Sequence, residues 1–185
     1  WLAAIIRAAG TGAEVIETAP GRGNVYARIE GTEEGGGLLL VHHIDVAPAD
    51  AAHWSHPPFE AKIHLDHLFG RGALDMKGVG IAFLRAFLDV AESGRRPEHD
   101  LVFLAVADEE AGGSQGAKFL VDQHWDAVKA DFVITESGRL LHAAMVATTW
   151  HWWLQADERS GEKRGTAERE LRLVEACDGV VLDAG

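Results

Sequence analysis

Two uninterrupted apolar runs, Leu38–Val41 and Leu101–Ala107, constrain the fold of this chain more than any other feature of its sequence. A strand that is apolar at every position must be covered on both faces, which is typical of a parallel sheet flanked by helices. Between the two runs, an amphipathic helix is predicted at about 78–93, with Ile81 and Leu84 on its apolar stripe. Strands that alternate with helices predict an α/β fold, a three-layer sandwich with a mainly parallel, mixed central sheet.

The remaining elements predicted from the sequence are shorter. Further strands are predicted at Glu14–Thr18, Val25–Glu30 and Asp131–Thr135. Glycine and proline mark Pro20–Asn24 as a turn before the second of these strands. Helices are predicted at Trp1–Ala9 and near Gln115–Gln123, and a hairpin within Glu60–Gly70.

The charge of the chain bears on its partners. The net charge is −12, which argues against a nucleic-acid backbone or an anionic membrane as partner. No apolar run approaches the roughly 20 residues that span a bilayer. Cys177 is the single cysteine, so an internal disulfide is excluded. The first residue is Trp1, within a predicted helix, so we expect the true start to lie upstream; localisation stays open, with the cytoplasm slightly favoured.

Side chains that can bind metal occur where the apolar strands end. They are His42, His43 and Asp45 after the first run, Asp108, Glu109 and Glu110 after the second, Glu136 after the strand at 131–135, and Asp75 before the long helix. Ligands of open α/β sheets bind at the carboxyl ends of the strands, so these groups could converge on one place. Buried carboxylates repel one another unless a cation neutralises them. Because histidine and carboxylate groups form a zinc-like ligand set, the pattern favours a divalent metal site.

Each of these residues also has an ordinary interpretation. A single acidic residue at a strand end is usually a solvated loop residue, and Asp75 alone could be a favourable charge at a helix N-terminus. His42 and His43 are two of ten histidines. The hypothesis of a metal site depends on the convergence of the clusters rather than on any one of them.

Five segments occur in an order and spacing that characterise a known family. They are Val41–Pro48 (VHHIDVAP), Trp54–Phe59 (WSHPPF), Gly70–Gly78 (GRGALDMKG), Asp108–Gly113 (DEEAGG) and Thr135–Gly138 (TESG). Together they resemble the motifs of the zinc-dependent exopeptidase and deacylase family of acetylornithine deacetylase, succinyl-diaminopimelate desuccinylase, aminoacylase and glutamate carboxypeptidase. Any one motif is weak, whereas all five in the family's order, across about residues 1–145, are specific.

The resemblance implies a zinc-exopeptidase-like fold and a ligand set. His43 and Glu136 would bind one zinc ion. Glu110 would bind a second, and Asp75 would bridge both. The cofactor would be Zn²⁺, two ions in the full-length protein, with Co²⁺ or Mn²⁺ as substitutes. The resemblance also implies a cis peptide bond between Asp75 and Met76.

The same resemblance implies a reaction. Glu109 would be the general base that takes a proton from a metal-activated water, and the bond cleaved would be a peptide or N-acyl amide C–N bond beside a free carboxylate. Asp45 would accept the second ring N–H of His43, which fixes the tautomer and raises the basicity of the ligand. The substrate would be a small peptide or an N-acyl amino acid.

The chain departs from the family pattern in ways that affect its activity. His42 stands where the family has a small residue, and no segment resembles the family's lid domain or its final histidine ligand. We interpret 1–150 as a partial, incomplete catalytic domain and 151–185 as an atypical charged tail. One zinc site is then complete, the other lacks its histidine, and we expect the chain alone to be weakly active or inactive. The full-length parent is expected to be a homodimer through the missing domain.

Two other functions stay open at this point. A non-catalytic metal-binding or interaction module would keep the ligands but would have no need of Glu109. A two-metal phosphoesterase is disfavoured, because only Arg71 and Lys77 accompany the acidic residues as cations. Release of an amino acid from N-acyl amino acids or dipeptides, against release of phosphate, separates these functions.

Overall fold

The computed structural model describes residues 1–136 and the backbone of 140–142. The helices are α1 (Leu2–Ala8), α2 (Val79–Glu92), α3 (Ala117–Gln123) and α4 (Trp125–Val128). The strands are β1 (Glu14–Ala19), β2 (Arg22–Ile29), β3 (Leu38–His43), β4 (Lys62–His64), β5 (His67–Phe69), β6 (Leu101–Val106), β7 (Phe132–Ile134) and β8 (Leu140–His142). The predicted tail at 151–185 lies outside the described residues. Among the helices described, none has both the length and the apolar character needed to cross a bilayer.

Six strands form one sheet in the order β1-β2-β6-β3-β7-β8, and β4 and β5 form the separate hairpin predicted within Glu60–Gly70. In the centre, β3 pairs in parallel with β6 and β7. The outer pairs, β1 with β2, β2 with β6, and β7 with β8, are antiparallel. Four strands (β1, β6, β3 and β7) thus run in one direction, which confirms the mixed sheet, with its parallel pairs at the centre. The carboxyl ends of β3, β6 and β7 meet at one edge.

Helices cover both faces of this sheet, as the continuous apolar runs predict. On one face, α1 and α2 pack through Ile6 and Phe87 against alternate residues of the central strands, such as Phe103. On the other face, α3 and α4 pack through Leu120 and Val128 against the intervening strand residues. The three-layer sandwich is therefore confirmed, and every residue of β6 is buried.

The structure confirms Leu84 on the buried side of α2 and corrects the position of Ile81. Ile81 was placed on the buried stripe, but it is 51% exposed. Beside Leu84, the buried stripe includes Gly80, which was not predicted there. A Cβ atom at Gly80 would lie 2.4 Å from Nδ1 of His42, so only glycine lets the helix approach β3 this closely.

The start of β2 was also predicted wrongly. Asn24 was assigned to a turn, but β2 already begins at Arg22, and Asn24 is fully buried within the strand. A buried amide must find hydrogen-bond partners. Asn24 finds them: its Nδ2 donates to the backbone oxygens of Ile16 (3.2 Å) and Gln115 (3.1 Å). Helix α4 was not predicted.

Candidate metal centre

The carboxyl edge of the sheet brings together side chains from four segments. His43 is the last residue of β3, and Glu136 follows the end of β7. A loop at 107–116 follows β6 and carries the two predicted glutamates. Asp75 comes from an irregular turn at 73–78 that precedes α2. The peptide bond after Asp75 is cis, as the family resemblance implies.

One nitrogen of His43 lies beside two carboxylates. Nε2 is 3.0 Å from Oδ1 of Asp75 and 3.5 Å from Oε2 of Glu136. One ligand atom from each of the three residues, which we call the His43 triad, lies within 4.8 Å of the others. The imidazole is almost fully buried, whereas 63% of the Asp75 side chain is exposed. The structure thus gathers three of the four predicted metal ligands around one point that is open to solvent on the Asp75 side.

The surroundings of His43 favour its protonated form when no metal is bound. Burial by itself lowers the pKa of the imidazole. Hydrogen bonds with Glu136 and Asp75, and the negative charge of Glu109, outweigh burial and raise the pKa to about 9. A proton then supplies the positive charge that these carboxylates require, and a divalent cation would supply more.

Asp45 connects His43 to the loop at 107–116. The backbone oxygen of Asp45 lies 3.1 Å from Nδ1 of His43, and its Oδ1 lies 3.4 Å from the same nitrogen. The Asp45 carboxylate also accepts hydrogen bonds from the backbone N–H groups of Glu109 (3.2 Å) and Glu110 (3.0 Å). The resemblance assigns this carboxylate to the ring of His43. In the structure the backbone oxygen is the closer acceptor, and the carboxylate mainly holds the loop.

Glu109 lies against the His43 triad. It lines a small cavity together with His43 and Glu136. Burial, and next the negative charge of Glu136, raise the pKa of the Glu109 carboxyl group. A carboxylate whose pKa is moved toward neutrality is well suited to take up and release a proton.

Glu110 has a different environment. It is exposed, and its Oε1 accepts a hydrogen bond from the backbone N–H of Ala47 at 2.8 Å. It does not belong to the group formed by the His43 triad. The resemblance assigns Glu110 to a second ion shared with Asp75, so its place outside the triad does not test that role, which stays a prediction.

The turn at 73–78 places Asp75 through backbone contacts. Gly72 has a φ angle of 78°, and a Cβ atom there would lie 2.4 Å from Cγ1 of Val46, so glycine is required. Lys77 donates its backbone N–H to the oxygen of Gly72 at 2.9 Å and its Nζ to the oxygen of Ile44 at 2.6 Å. These contacts fasten the turn to the segment that follows β3.

His42 contributes to the core rather than to the triad. It is buried, and its ring packs against Phe103 with the ring centroids 5.4 Å apart. Its Nδ1 lies 3.1 Å from the backbone oxygen of His43. Burial lowers the pKa of His42 to about 4, so the ring is neutral near pH 7.

The residues present fit a zinc ion. Ligand atoms bound to zinc at about 2.0–2.2 Å lie roughly 3.3–3.5 Å apart in a tetrahedral arrangement. The separations of 3.0 and 3.5 Å between His43 and the two carboxylates are close to this range. The second nitrogen of His43 faces Asp45, which is the usual arrangement for a histidine that binds metal through its other nitrogen.

Three residues support the site without having been predicted to do so. Met76 is buried, and its Sδ accepts the backbone N–H of His43 at 3.4 Å. Asn24 and Asp108 are buried polar residues that hold the two ends of the loop at 107–116. The sequence did contain a signal for Asn24: it is two positions before Tyr26, so it continues the alternation of that strand on the same face. The glycine and proline residues just before it obscured this signal.

Comparison with known proteins agrees with this geometry. The family model described as peptidase family M20/M25/M40 matches residues 39–176. The chain is 34% identical over 157 residues to aminoacylase-1B from Rattus norvegicus, an alignment that covers 80% of the chain and 38% of that protein. It is 33% identical over 183 residues to aminoacylase-1 from Sus scrofa, covering 95% of the chain and 44% of that protein.

Solved structures have a similar architecture. An M20 family metallo-carboxypeptidase from Sulfolobus solfataricus matches with a TM-score of 0.62 and 30% identity, over 75% of the chain and 32% of that protein. Human carnosine dipeptidase 1 matches with a TM-score of 0.58 and 20% identity, over 72% of the chain and 30% of that protein, which shows the fold alone. The chain spans less than half the length of the curated relatives it matches. Because the family model covers most of the chain and the segments it includes meet around His43, this chain belongs to peptidase family M20/M25/M40.

Proposed function

We propose that this chain supplies the metal-binding catalytic part of a zinc-dependent hydrolase that cleaves peptide or N-acyl amide bonds beside a free carboxylate. The observation that supports it most is the His43 triad with Glu109, whose pKa is raised, beside it. Membership of the peptidase family supports hydrolysis of C–N bonds. The relatives named aminoacylase and metallo-carboxypeptidase support substrates in which an amide bond lies next to a free carboxylate.

In this proposal the chain's residues have distinct roles. The His43 triad would hold one ion, and Asp75 and Glu110 would contribute to a second. A bound zinc ion lowers the pKa of a coordinated water from about 15.7 toward about 7 and polarises a carbonyl group. Glu109 takes the proton of the attacking water and returns it to the leaving nitrogen, a transfer that is typically worth about 10²–10⁴ in rate. Asp45 contacts both the ring of His43 and the backbone N–H of Glu109, and so fixes the position of one relative to the other.

We further propose that the chain alone is a poor catalyst. Among the described residues, the His43 triad is the one group of three ligand atoms close enough together to hold an ion, so this part of the chain does not complete a site for two ions. Homodimerisation of the full-length protein stays a prediction.

Metal analysis of the purified chain tests the proposal. We expect about one zinc ion per chain, retained in Glu14→Ala, an exposed glutamate on β1, and lost in Glu136→Ala. Zinc bound equally by both variants would place the ion elsewhere and reject the site.

A second variant separates catalysis from binding. We expect Glu109→Gln to keep its zinc and to lose whatever hydrolysis of N-acyl amino acids or dipeptides the wild-type chain shows, since the amide cannot take up the proton. Equal hydrolysis by both proteins would exclude Glu109 as the base. Zinc binding without hydrolysis by an assembled full-length protein would favour the non-catalytic metal-binding module.

A further inference from the structure

We propose that Asn24, a residue of β2 outside all five motifs, is the positioning residue of the loop that carries Glu109 and Glu110. The inference rests on the proposed function for its meaning, because it concerns where the base and a metal ligand stand relative to His43. Asn24 acts through hydrogen bonds to the loop and has no need to touch substrate or metal.

A single side chain holds both ends of the loop. Oδ1 of Asn24 accepts the backbone N–H of Ala107 at 2.9 Å, and Nδ2 donates to the backbone oxygen of Gln115 at 3.1 Å. The two ends also lie against each other, since a Cβ atom at Gly116 would be 1.9 Å from the backbone oxygen of Ala107. The loop at 107–116 is therefore closed at its base, and the amide of Asn24 bridges the closure.

Other polar groups reinforce the same closure. Asp108, which is buried and has a φ angle of 71°, accepts the backbone N–H of Gln115 at 3.1 Å and the hydroxyl of Ser114 at 3.2 Å. Thr18 donates its hydroxyl to the backbone oxygen of Gln115 at 2.9 Å. Asn24 is the fully buried member of this set, so water cannot replace its bonds without opening the structure.

The closure determines where the two glutamates lie. Their backbone N–H groups reach Asp45 across the top of the loop, and the base of the loop is fixed by Asn24. With both attachments, the loop has one position relative to His43. Without Asn24, the base of the loop loses its fully buried hydrogen bonds and keeps those of Asp108 and Thr18, while the contacts with Asp45 and Ala47 remain at the top.

Hydrogen exchange in the metal-free chain tests this inference independently of catalysis. In Asn24→Ala we expect the amides of Glu109 and Glu110 to exchange at least about tenfold faster, the size of one lost buried hydrogen bond. The milder variant Thr18→Val, which removes one hydroxyl donor, should accelerate the same amides less and decides the matter if Asn24→Ala does not fold. Leu88→Ala, in the core on the other face of the sheet, is the control for general destabilisation and should leave these two amides unchanged.

The visible spectrum of the Co²⁺-loaded chain adds a measurement that general destabilisation does not affect. We expect Asn24→Ala to change the intensity or position of the cobalt bands while Leu88→Ala keeps the wild-type spectrum, because Glu109, which lies against the His43 triad, changes position in the first variant alone. Unchanged exchange in the variants of Asn24 and Thr18, or exchange accelerated equally in Leu88→Ala, would overturn the inference. A wild-type chain that gives no cobalt bands would count against the proposed function, and the exchange rates would then decide the role of Asn24.

Discussion

Both edges of the central sheet carry charged side chains, but the two edges arrange them differently. Where β3 and β6 begin, Arg28 forms an ion pair with Asp100 and donates a further hydrogen bond to the backbone oxygen of Ala127 at 2.9 Å. Where the same strands end, the carboxylates of the His43 triad and Glu109 surround one imidazole. Opposite charges are paired at the first edge, and like charges are gathered at the second.

The difference separates charges that stabilise the fold from charges that bind a ligand. A paired carboxylate keeps its charge at little cost, whereas gathered carboxylates raise one another's pKa values. The pKa shifts of His43, upward to about 9, and of Glu109, also upward, occur at the second edge. Groups whose protonation is perturbed in this way concentrate at functional sites. The contrast leads to four expectations, which follow from the largest effect to the smallest.

Removal of the central ligand should produce the largest change. We expect His43→Ala to weaken zinc binding by more than about a thousandfold, or about 4 kcal/mol, since even a partner of a ligand is worth about ten- to a hundredfold. Calorimetric titration with zinc measures this. Asp100→Asn at the opposite edge is the control, and a similar loss of affinity there would mean that the two edges do not differ.

The stability of the metal-free chain should depend on pH through His43. Its pKa in the folded state, about 9, exceeds the ordinary value of 6.5, so the folded state binds the proton more tightly. The resulting stabilisation is complete below about pH 6.5 and is lost as pH rises through 9, by up to about 3 kcal/mol. Urea unfolding with a chelator present, at pH 6 and pH 10, measures the change.

Two variants identify the group responsible for this pH dependence. His43→Asn should remove most of it, and His53→Asn, which changes an exposed histidine, should leave it intact. A wild-type chain whose stability is constant between these pH values would show that the carboxylates do not hold a proton on His43.

Removal of a paired charge should have an intermediate effect on stability and none on zinc. In Arg28→Met we expect the free energy of unfolding to fall by about 2 kcal/mol, because Asp100 loses its cation in a half-buried setting. Urea unfolding and zinc titration on the same sample check both statements. Weaker zinc binding in the folded variant would contradict the separation of the two edges.

Removal of one gathered charge should have the smallest effect, and in the opposite direction. Because the pKa of Glu109 is raised in the folded state, its ionised form opposes folding above the ordinary pKa of a carboxyl group. Glu109→Gln should therefore stabilise the metal-free chain at pH 8 by about 0.5 kcal/mol, a small value because water screens part of the repulsion. Chemical unfolding resolves a change of this size when the variant and the wild-type chain are measured side by side. A clear destabilisation by Glu109→Gln would contradict the expectation.

The sequence predicted those parts of the molecule that local patterns encode. Continuous apolar runs identified β3 and β6, and the polar residues after them identified the edge where the His43 triad lies. Glu136 could be included because it lies two residues after the end of β7, at the same edge.

Contacts between distant segments could not be predicted in the same way. Asn24 resembled a turn residue because two of its partners, Ala107 and Gln115, are more than 80 positions away. The exposed position of Ile81 depends on how closely α2 approaches β3, which no local periodicity specifies. The contact of Glu110 with Ala47 is of the same kind, since it joins two loops across 63 positions.

The close approach of Gly80 to His42 makes these two positions dependent on each other in evolution. A methyl group at position 80 would collide with the imidazole, so Gly80→Ala should be harmful while His42 is present. With alanine at position 42 the collision disappears, and the same methyl group would fill part of the space that the ring leaves. A lineage that exchanges both His42 for a small residue and Gly80 for alanine must therefore change position 42 first. Changing position 80 first passes through a destabilised protein.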